Sequence, residues 1–247
     1  MIVRTEAIVL RSMRYGESSR IATLFTRERG KLSVIARGAR RSKSRFGSAL
    51  MPMSYIESVI YVKPGRSLQT LSETSHLLRF PSLARDLTKI STGLRVVELL
   101  GSVVQEEERN PALFNVALDT LQRLSLASKN TDNLGLHFEL RLAGELGFAP
   151  LIRRDDVEAV GSEGGYLALD RGSISPARDS DHSVRSSRKA LRAFAILAAS
   201  DSETAMRLQL DDRTRRDVDS LVESFMRYHL EDAYSVRGKR VIGQLSA

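Results

Sequence analysis

The chain has 247 residues, enough for one large domain or two to three small ones, and its 42% hydrophobic and 28% charged residues are typical of a globular protein. It contains no cysteine, which excludes disulfides, thiolate catalysis and cysteine-ligated zinc. Its longest apolar run, residues 193–199, is far shorter than the roughly 20 residues that cross a bilayer, and the N-terminus lacks a signal-peptide pattern. We therefore expect a cytosolic protein with no membrane partner.

The positive charge of the chain is concentrated at one end. The net charge is +8, and residues 1–45 hold 12 Lys/Arg and 3 Asp/Glu, a balance of +9. The other 26 basic and 27 acidic residues nearly cancel. A localised excess of this kind is typical of a protein that binds a polyanion. Nucleic acid is the first expectation and the one that we adopt, and an anionic membrane surface is the second.

The first eighty residues are rich in Ile, Val, Thr and Tyr, and turn signals divide them into five segments. Five short strands with a long connection between the third and the fourth predict a small closed barrel. An OB-fold, which binds oligonucleotides on one face, fits this pattern, and an SH3-like barrel fits it nearly as well. The predicted strands are residues 6–10, 20–25, 31–37, 54–61 and 67–74.

From Phe80 onward, apolar residues recur at helical spacing, and Asn110 followed by Pro111 indicates a helix start. The first three helices predict an antiparallel bundle. Residues 151–186 lose the periodicity, which predicts a loop or a minimal hairpin between helical blocks. The predicted helical segments are residues 83–104, 111–124, 134–146, 189–199 and 212–231.

Patterns that indicate catalysis or metal binding are scarce. The four histidines lack a second histidine at metal-ligand spacing, and neither a P-loop nor a G-x-S-x-G elbow occurs. Asp179, Asp181 and His182 could hold a divalent cation, although a solvated polar loop is the more common meaning of such a segment. We therefore predict no catalytic residue, no metal ion, no cofactor and no enzymatic activity.

The stretch ARGARRSKSRFGSAL, residues 36–50, joins the predicted third and fourth strands and carries the densest charge. Such runs are often only solvated loops, but loops on a barrel also present binding groups on a rigid scaffold. Glycines and serines within it predict a flexible backbone. Arginine forks suit phosphates, so we predict that this segment binds the backbone of a nucleic acid without sequence preference. Its basic residues are Arg37, Arg40, Arg41, Lys43 and Arg45.

Further bases on the neighbouring strands and turns extend this surface: Arg14, Arg20, Arg27, Arg29 and Lys31. Tyr15 and Phe46 are candidate stacking platforms for unpaired bases, although a core position is equally compatible with Phe46. The predicted nucleic-acid-binding residues, for which the resemblance described next implies DNA as the ligand, are Arg14, Arg20, Lys31, Arg37, Arg40, Arg41, Lys43, Arg45 and Phe46.

The run YGESSRIATLFTRERGKLSVIARGARRSKSRFGSAL, residues 15–50, resembles the N-terminal signature of the RecO family of bacterial recombination mediators. The likeness continues in RFPSLARDL, NPALFNVALDTL and HFELRLAGELGFAP, so it covers about the first three-fifths of the chain. It implies an α+β fold, in which an N-terminal five-stranded OB-fold barrel precedes an all-helical domain with a short cysteine-free hairpin or loop insertion.

The changes in sequence pattern, together with the resemblance, suggest the domain boundaries. We expect an OB-fold over residues 1–80, a helical bundle over 81–150, an irregular insertion over 151–186 and C-terminal helices that pack on the bundle over 187–247. Many relatives carry a four-cysteine zinc module in the place of this insertion. Because this chain has no cysteine, no metal is expected there.

The resemblance implies a DNA repair and recombination mediator of the bacterial cytoplasm and nucleoid, without enzymatic turnover. Such proteins bind single- and double-stranded DNA, anneal complementary strands and pair with RecR. They help RecA to displace single-strand-binding protein, whose acidic C-terminal tail they recognise. Three alternatives stay open on the residues alone: a general OB-type RNA- or ribosome-associated protein, an interaction adaptor without annealing activity, and a metal-dependent nuclease.

Overall fold

The computed structural model describes residues 1–234, which fall into two compact units. The first runs from Met1 to Ser125, and the second begins at Leu126. No helix among the described residues is long and apolar enough to cross a membrane.

A closed five-stranded barrel forms most of the first unit. Its strand order is β1-β2-β3-β5-β4, and every pair of neighbours is antiparallel except β3 and β5, which run parallel. This is the OB-fold arrangement, so the fold implied by the resemblance is confirmed. The strands are β1 Ile2–Tyr15, β2 Ser19–Thr26, β3 Gly30–Ala36, β4 Tyr55–Tyr61 and β5 Leu68–Leu78.

Alternate residues of the strands fill the interior of the barrel. In β3, Leu32, Val34 and Ala36 are buried, whereas the residues between them are half-buried, as the alternation in the sequence predicts. A fully buried side chain of this kind contributes about 1.5–3 kcal/mol relative to an exposed one. The other buried strand residues of this core are Ala7, Val9, Ala22, Leu24, Ile56, Ile60 and Leu71.

Two α-helices follow the barrel in the first unit: α1 Leu87–Val103 and α2 Pro111–Leu126. Asn110 caps α2, because its Oδ1 accepts a hydrogen bond of 2.9 Å from the backbone N–H of Leu113. The helix begins at Pro111, as predicted.

Arg27 fixes α2 to the barrel. Its Nε lies 2.6 Å from Glu6 Oε2, and its Nη1 donates a 2.7 Å hydrogen bond to Asn115 Oδ1 on α2. The guanidinium also lies 4.5 Å from the centroid of the Phe114 ring, which is itself 5.4 Å from the Phe25 ring. Arg27, although part of the basic N-terminal segment, therefore stabilises the packing of α2 against the barrel.

Within the described residues, the second unit contains five α-helices and a small sheet. The helix α3 packs against α5, α6 and α7, with Phe138, Phe194 and Phe225 fully buried. The strands form an antiparallel sheet of order β7-β6-β8. The elements of this unit are α3 Thr131–Glu145, α4 Arg154–Ala159, β6 Gly165–Ala168, β7 Ser173–Ser175, β8 Ser183–Ser186, α5 Arg188–Ala199, α6 Ser202–Arg207 and α7 Asp212–Leu230.

The structure differs from the expected organisation in two places. Residues 151–186 contain α4 and the three-stranded sheet rather than an irregular loop, because elements of three to six residues are too short to show a period. The boundary between the compact units also falls inside the expected bundle of residues 81–150, since α3 packs with the later helices. The expected C-terminal domain, 187–247, extends beyond the described residues.

A close backbone contact at Gly30 yields the first prediction. Gly30 has φ +61°, and a Cβ there would lie 2.0 Å from the backbone oxygen of Glu108. Gly30→Ala should lower the free energy of unfolding by at least about 2 kcal/mol, because left-handed strain and a backbone clash add. Chemical denaturation measures this loss.

Gly65→Ala is the matched control for this substitution. Gly65 has φ +74° but nothing within 4 Å of an added Cβ, so only the conformational strain of about 1–2 kcal/mol should appear. Equal losses in the two variants would contradict the role given to the Glu108 contact.

Candidate nucleic-acid interface

The strand β3 separates the predicted basic residues into two groups. Lys31 stands at its start and Arg37 directly after its end, about 20 Å away at the usual rise per residue. We call the second region the loop end, defined as residues 15–19, which join β1 to β2, together with residues 37–46, which follow β3.

The basic side chains near the start of β3 contact other parts of the fold. Lys31 Nζ donates a 3.0 Å hydrogen bond to the backbone oxygen of Gly101 in the last turn of α1, where a positive charge is stabilising. Arg29 lies 3.5 Å from Glu107 Oε2, and Arg27 is bound to Glu6. The ammonium group of Lys31 therefore has a partner within the fold, which makes it a weaker candidate than the residues after β3, and its contact with DNA stays a prediction.

Beside the loop end, strand register aligns two arginines. Arg14 of β1 pairs directly with Arg20 of β2, and Arg20 pairs with Ala36, the residue before Arg37. Like charges opposite each other in a sheet destabilise it, so this pairing costs the fold some stability. Arg20 Nη1 donates a 3.2 Å hydrogen bond to Ser12 Oγ, whereas Arg14 is exposed.

The segment after β3 is tied to the turn between β1 and β2. The backbone N–H of Arg40 donates to the backbone oxygen of Ser18 at 2.9 Å, and its Nη1 donates to the oxygen of Gly16 at 3.1 Å. Arg41 and Ser44 each donate a backbone hydrogen bond to the residue three positions earlier. The expected flexible loop is therefore a series of anchored turns.

Apolar residues of the same segment enter the barrel. Ala39 is 8% exposed and Phe46 only 3%, and both belong to the core together with Ala49 and Leu50 of the short 3₁₀ helix Gly47–Leu50. The burial of Phe46 favours the core position over a stacking platform, because its ring fills the barrel interior, and its contact with DNA stays an untested prediction. The Arg45 guanidinium lies 5.4 Å from that ring's centroid.

The remaining basic residues of the loop end and of the strand ends beside it are exposed or half-buried. Within residues 1–234 none of them forms an ion pair with a carboxylate. Uncompensated cations gathered in one region create a positive potential that attracts polyanions. Arg20 is half-buried and the others are exposed: Arg14, Arg37, Arg40, Arg41, Lys43 and Arg45.

A groove of about 650 Å³ runs from the loop end along the outer surface of β3 and β5. Sequence reasoning missed its residue Arg66, because the turn before β5 reaches this surface only through the parallel pairing of β3 with β5. The residues that line the groove are Tyr15, Ser18, Ser19, Ile35, Arg37, Gly38, Arg41, Arg66, Leu68 and Thr70.

The family of this chain follows from comparison with known proteins. Residues 1–78 match the model for the N-terminal part of recombination protein O, and residues 84–237 match the model for its C-terminal part. The chain belongs to the RecO family. The match extends over nearly the whole chain, beyond the three-fifths in which the resemblance is visible by eye.

Individual RecO proteins agree with this assignment. The chain is 48% identical to the DNA repair protein RecO of Salinibacter ruber over 245 residues, which cover 99% of this chain and 94% of that protein. It is 26% identical to the DNA repair protein RecO of Pelodictyon phaeoclathratiforme over 259 residues, which cover 99% of both. DNA repair is therefore the process to which this family member belongs.

The candidate cation ligands Asp179, Asp181 and His182 do not form a metal site in the described structure. No group of three His, Cys, Asp or Glu residues with suitable geometry occurs within residues 1–234. Arg171 lies 3.2 Å from Asp179 Oδ2, and Arg178 Nη2 donates a 2.9 Å hydrogen bond to the backbone oxygen of Asp181. Arginine side chains therefore form an ion pair and a hydrogen bond with the residues that were considered as cation ligands.

The burial of Phe46 yields a prediction that separates the two roles considered for it. Phe46→Ala should cost about 3 kcal/mol or more of unfolding free energy, because a large core side chain is lost. Phe46→Leu keeps most of the volume but removes the aromatic ring, so its affinity for single-stranded DNA should equal that of the unchanged protein.

Thermal denaturation and fluorescence anisotropy with a labelled oligonucleotide measure the two effects. If a folded Phe46→Leu protein bound single-stranded DNA clearly more weakly, this result would support stacking of a base on Phe46.

Proposed function

We propose that this protein is a DNA repair and recombination mediator that binds single- and double-stranded DNA through the loop end and anneals complementary strands without enzymatic turnover. The observation that supports this most is the gathering of seven basic side chains, none paired with a carboxylate within residues 1–234, at one end of an OB-fold barrel. They are Arg14, Arg20, Arg37, Arg40, Arg41, Lys43 and Arg45.

Annealing requires neutralisation of charge more than recognition of bases. Two DNA strands repel each other through their phosphates, and a surface that binds phosphates lowers this repulsion. Contacts to the backbone leave the base edges free to pair, because the phosphate groups carry no sequence information. The planar forks of the arginines suit phosphate oxygens, to which they can donate two parallel hydrogen bonds.

The anchored turns of the loop end favour this mechanism. Ala39 and Phe46 hold the segment against the barrel, so the charged residues between them project outward from a fixed backbone. Fewer degrees of freedom are then lost when a strand binds, which improves affinity for a given set of contacts.

The proposal extends to protein partners through the family. We propose RecR as a binding partner, with RecA loaded indirectly on DNA that single-strand-binding protein coats. The acidic C-terminal tail of single-strand-binding protein needs an apolar pocket with basic residues at its rim. A groove of about 810 Å³ between α4 and α5 in the second unit has this chemistry.

The floor of that groove is apolar and its rim is basic. Val157 of α4 and Ile196 of α5 contribute to the floor, and Arg188 and Arg192 lie one turn apart on α5. Arg154 on α4 also lines the groove, although it lies 3.0 Å from Glu158 in an exposed ion pair. Arg188 and Arg192 are therefore the residues proposed to bind the carboxylates of the tail.

Charge reversal at the loop end tests the DNA-binding proposal. The triple substitution Arg40→Glu, Arg41→Glu and Lys43→Glu should weaken binding of both single strands and duplexes at least about tenfold at moderate salt. The slope of log affinity against log salt should decrease by roughly 2 to 3, because up to three phosphate contacts are lost. Annealing of complementary oligonucleotides should slow in parallel, while the melting temperature stays nearly unchanged.

The matched control carries the same change in net charge elsewhere. Lys129, Arg213 and Arg216 are exposed in the second unit, and their triple reversal to Glu should leave binding and annealing nearly intact. Equal losses in both proteins would mean that net charge alone drives binding, which contradicts a specific interface. Cleavage of labelled DNA in magnesium or manganese would contradict the absence of turnover.

Arg192→Glu tests the groove in the second unit. We expect this variant to bind a fluorescent peptide from the C-terminus of single-strand-binding protein at least about tenfold more weakly, since an attractive contact becomes repulsive. Its DNA affinity should not change. Arg216→Glu on α7, which does not line the groove, is the control, and an unaltered peptide affinity for Arg192→Glu would contradict the assignment.

A further inference from the structure

The ring of Tyr15 is exposed at the mouth of the groove beside β3. Tyr15 is the last residue of β1, pairs with Ser19 of β2 and is 53% exposed. Its ring therefore contributes little to the core, whereas other aromatic rings of the first unit are buried. An exposed aromatic face next to unpaired arginines is the combination that binds single-stranded nucleic acid.

The walls of the groove are suited to a base and its phosphates. Ile35 and Leu68 are half-buried on the outer surface of β3 and β5, so they offer apolar contact beside the ring. The side chains of Arg37, Arg41 and Arg66 are exposed, and none forms an ion pair within residues 1–234. A volume of about 650 Å³ lies in the range of roughly 300–1,000 Å³ that small-ligand sites occupy.

Arg66 is held in place by a buried side chain. Gln69 is 2% exposed and bonds three backbone groups of the turn before β5. Its Oε1 accepts from the N–H of Lys63 at 2.8 Å, and its Nε2 donates to the oxygens of Lys63 and Arg66 at 3.2 and 2.6 Å. The turn that carries Arg66 is thus built into the barrel.

We propose that this groove binds unpaired nucleotides, with a base stacked on Tyr15 and the flanking phosphates bound by Arg37, Arg41 and Arg66. This inference rests on the proposed DNA binding at the loop end, and it predicts that Tyr15 adds a preference for single strands over duplexes. In a duplex the bases are stacked on one another and their faces are not available to the ring. Arg40, Lys43 and Arg45 lie outside the groove and contact the backbone of either form.

Substitution of Tyr15 tests the assignment by its selectivity. Tyr15→Ala should lower the affinity for a single-stranded oligonucleotide about tenfold, because one stacked base is lost, and should leave the affinity for a duplex of the same length within about twofold. Tyr15→Phe keeps the ring and should behave as the unchanged protein. Because Tyr15 is exposed, the melting temperature of both variants should match that of the unchanged protein.

The absence of tryptophan from the chain allows a direct measurement of stacking. Tyr15→Trp introduces a single indole into the groove, and its fluorescence should be quenched when the single strand binds and should change little with the duplex. Leu151→Trp places the indole at an exposed position of the second unit as a control, and no such quenching is expected there.

The outcomes separate this inference from the proposed function. Suppose that the triple reversal at Arg40, Arg41 and Lys43 abolishes DNA binding. If Tyr15→Ala then lowers the affinities for single strands and duplexes equally, or lowers neither, the stacking role is overturned and the DNA-binding proposal stands. If the triple reversal leaves all DNA binding intact, the proposed function fails. Equal quenching of the indole in the Tyr15→Trp variant by the duplex and by the single strand would also overturn the inference.

Discussion

The parallel pairing of β3 with β5 is the constraint on which the first unit depends. It comprises three residue pairs, Ser33 with Leu68, Val34 with Gln69 and Ile35 with Thr70, and it closes the barrel. Because β4 enters the sheet between β1 and β5, the chain after β3 must cross an end of the barrel before it can pair again. Residues 37–46, which carry most of the basic side chains of the loop end, form this crossing. Their position at the end of the barrel follows from the way in which the barrel closes.

The crossing segment serves two purposes at once. Its apolar residues, Ala39 and Phe46, complete the core of the barrel, and the cations between them are thereby held at the surface. Burial of a phenylalanine contributes more to stability than the repulsion between exposed arginines costs, since water and salt screen the latter. Core packing therefore makes a dense positive surface compatible with a stable fold.

Much of this organisation could be predicted from the sequence. Alternation in residues 31–37 indicated a strand with the correct inward face, and the Asn110–Pro111 pair marked the start of α2. Contacts that depend on tertiary packing could not be predicted. The position of Lys31 in the sequence does not distinguish an ammonium group that binds phosphate from one that caps α1. In the same way, a phenylalanine beside arginines, such as Phe46, can have either a stacked or a buried ring. Arg66 belongs to the groove only after the barrel has closed.

For the proposed annealing activity, the single exposed ring at the loop end has a consequence for how two strands find their register. Within the described residues of the loop end, Tyr15 is the exposed aromatic side chain, while Phe46 is buried. A strand that is held by its phosphates and by one stacked base can move along the surface by exchanging that base for its neighbour. Each such step breaks one stacking contact and preserves the uniform backbone charge, so sliding is easier than dissociation. Complementary sequences could then be compared by diffusion along the strand, without release into solution between attempts.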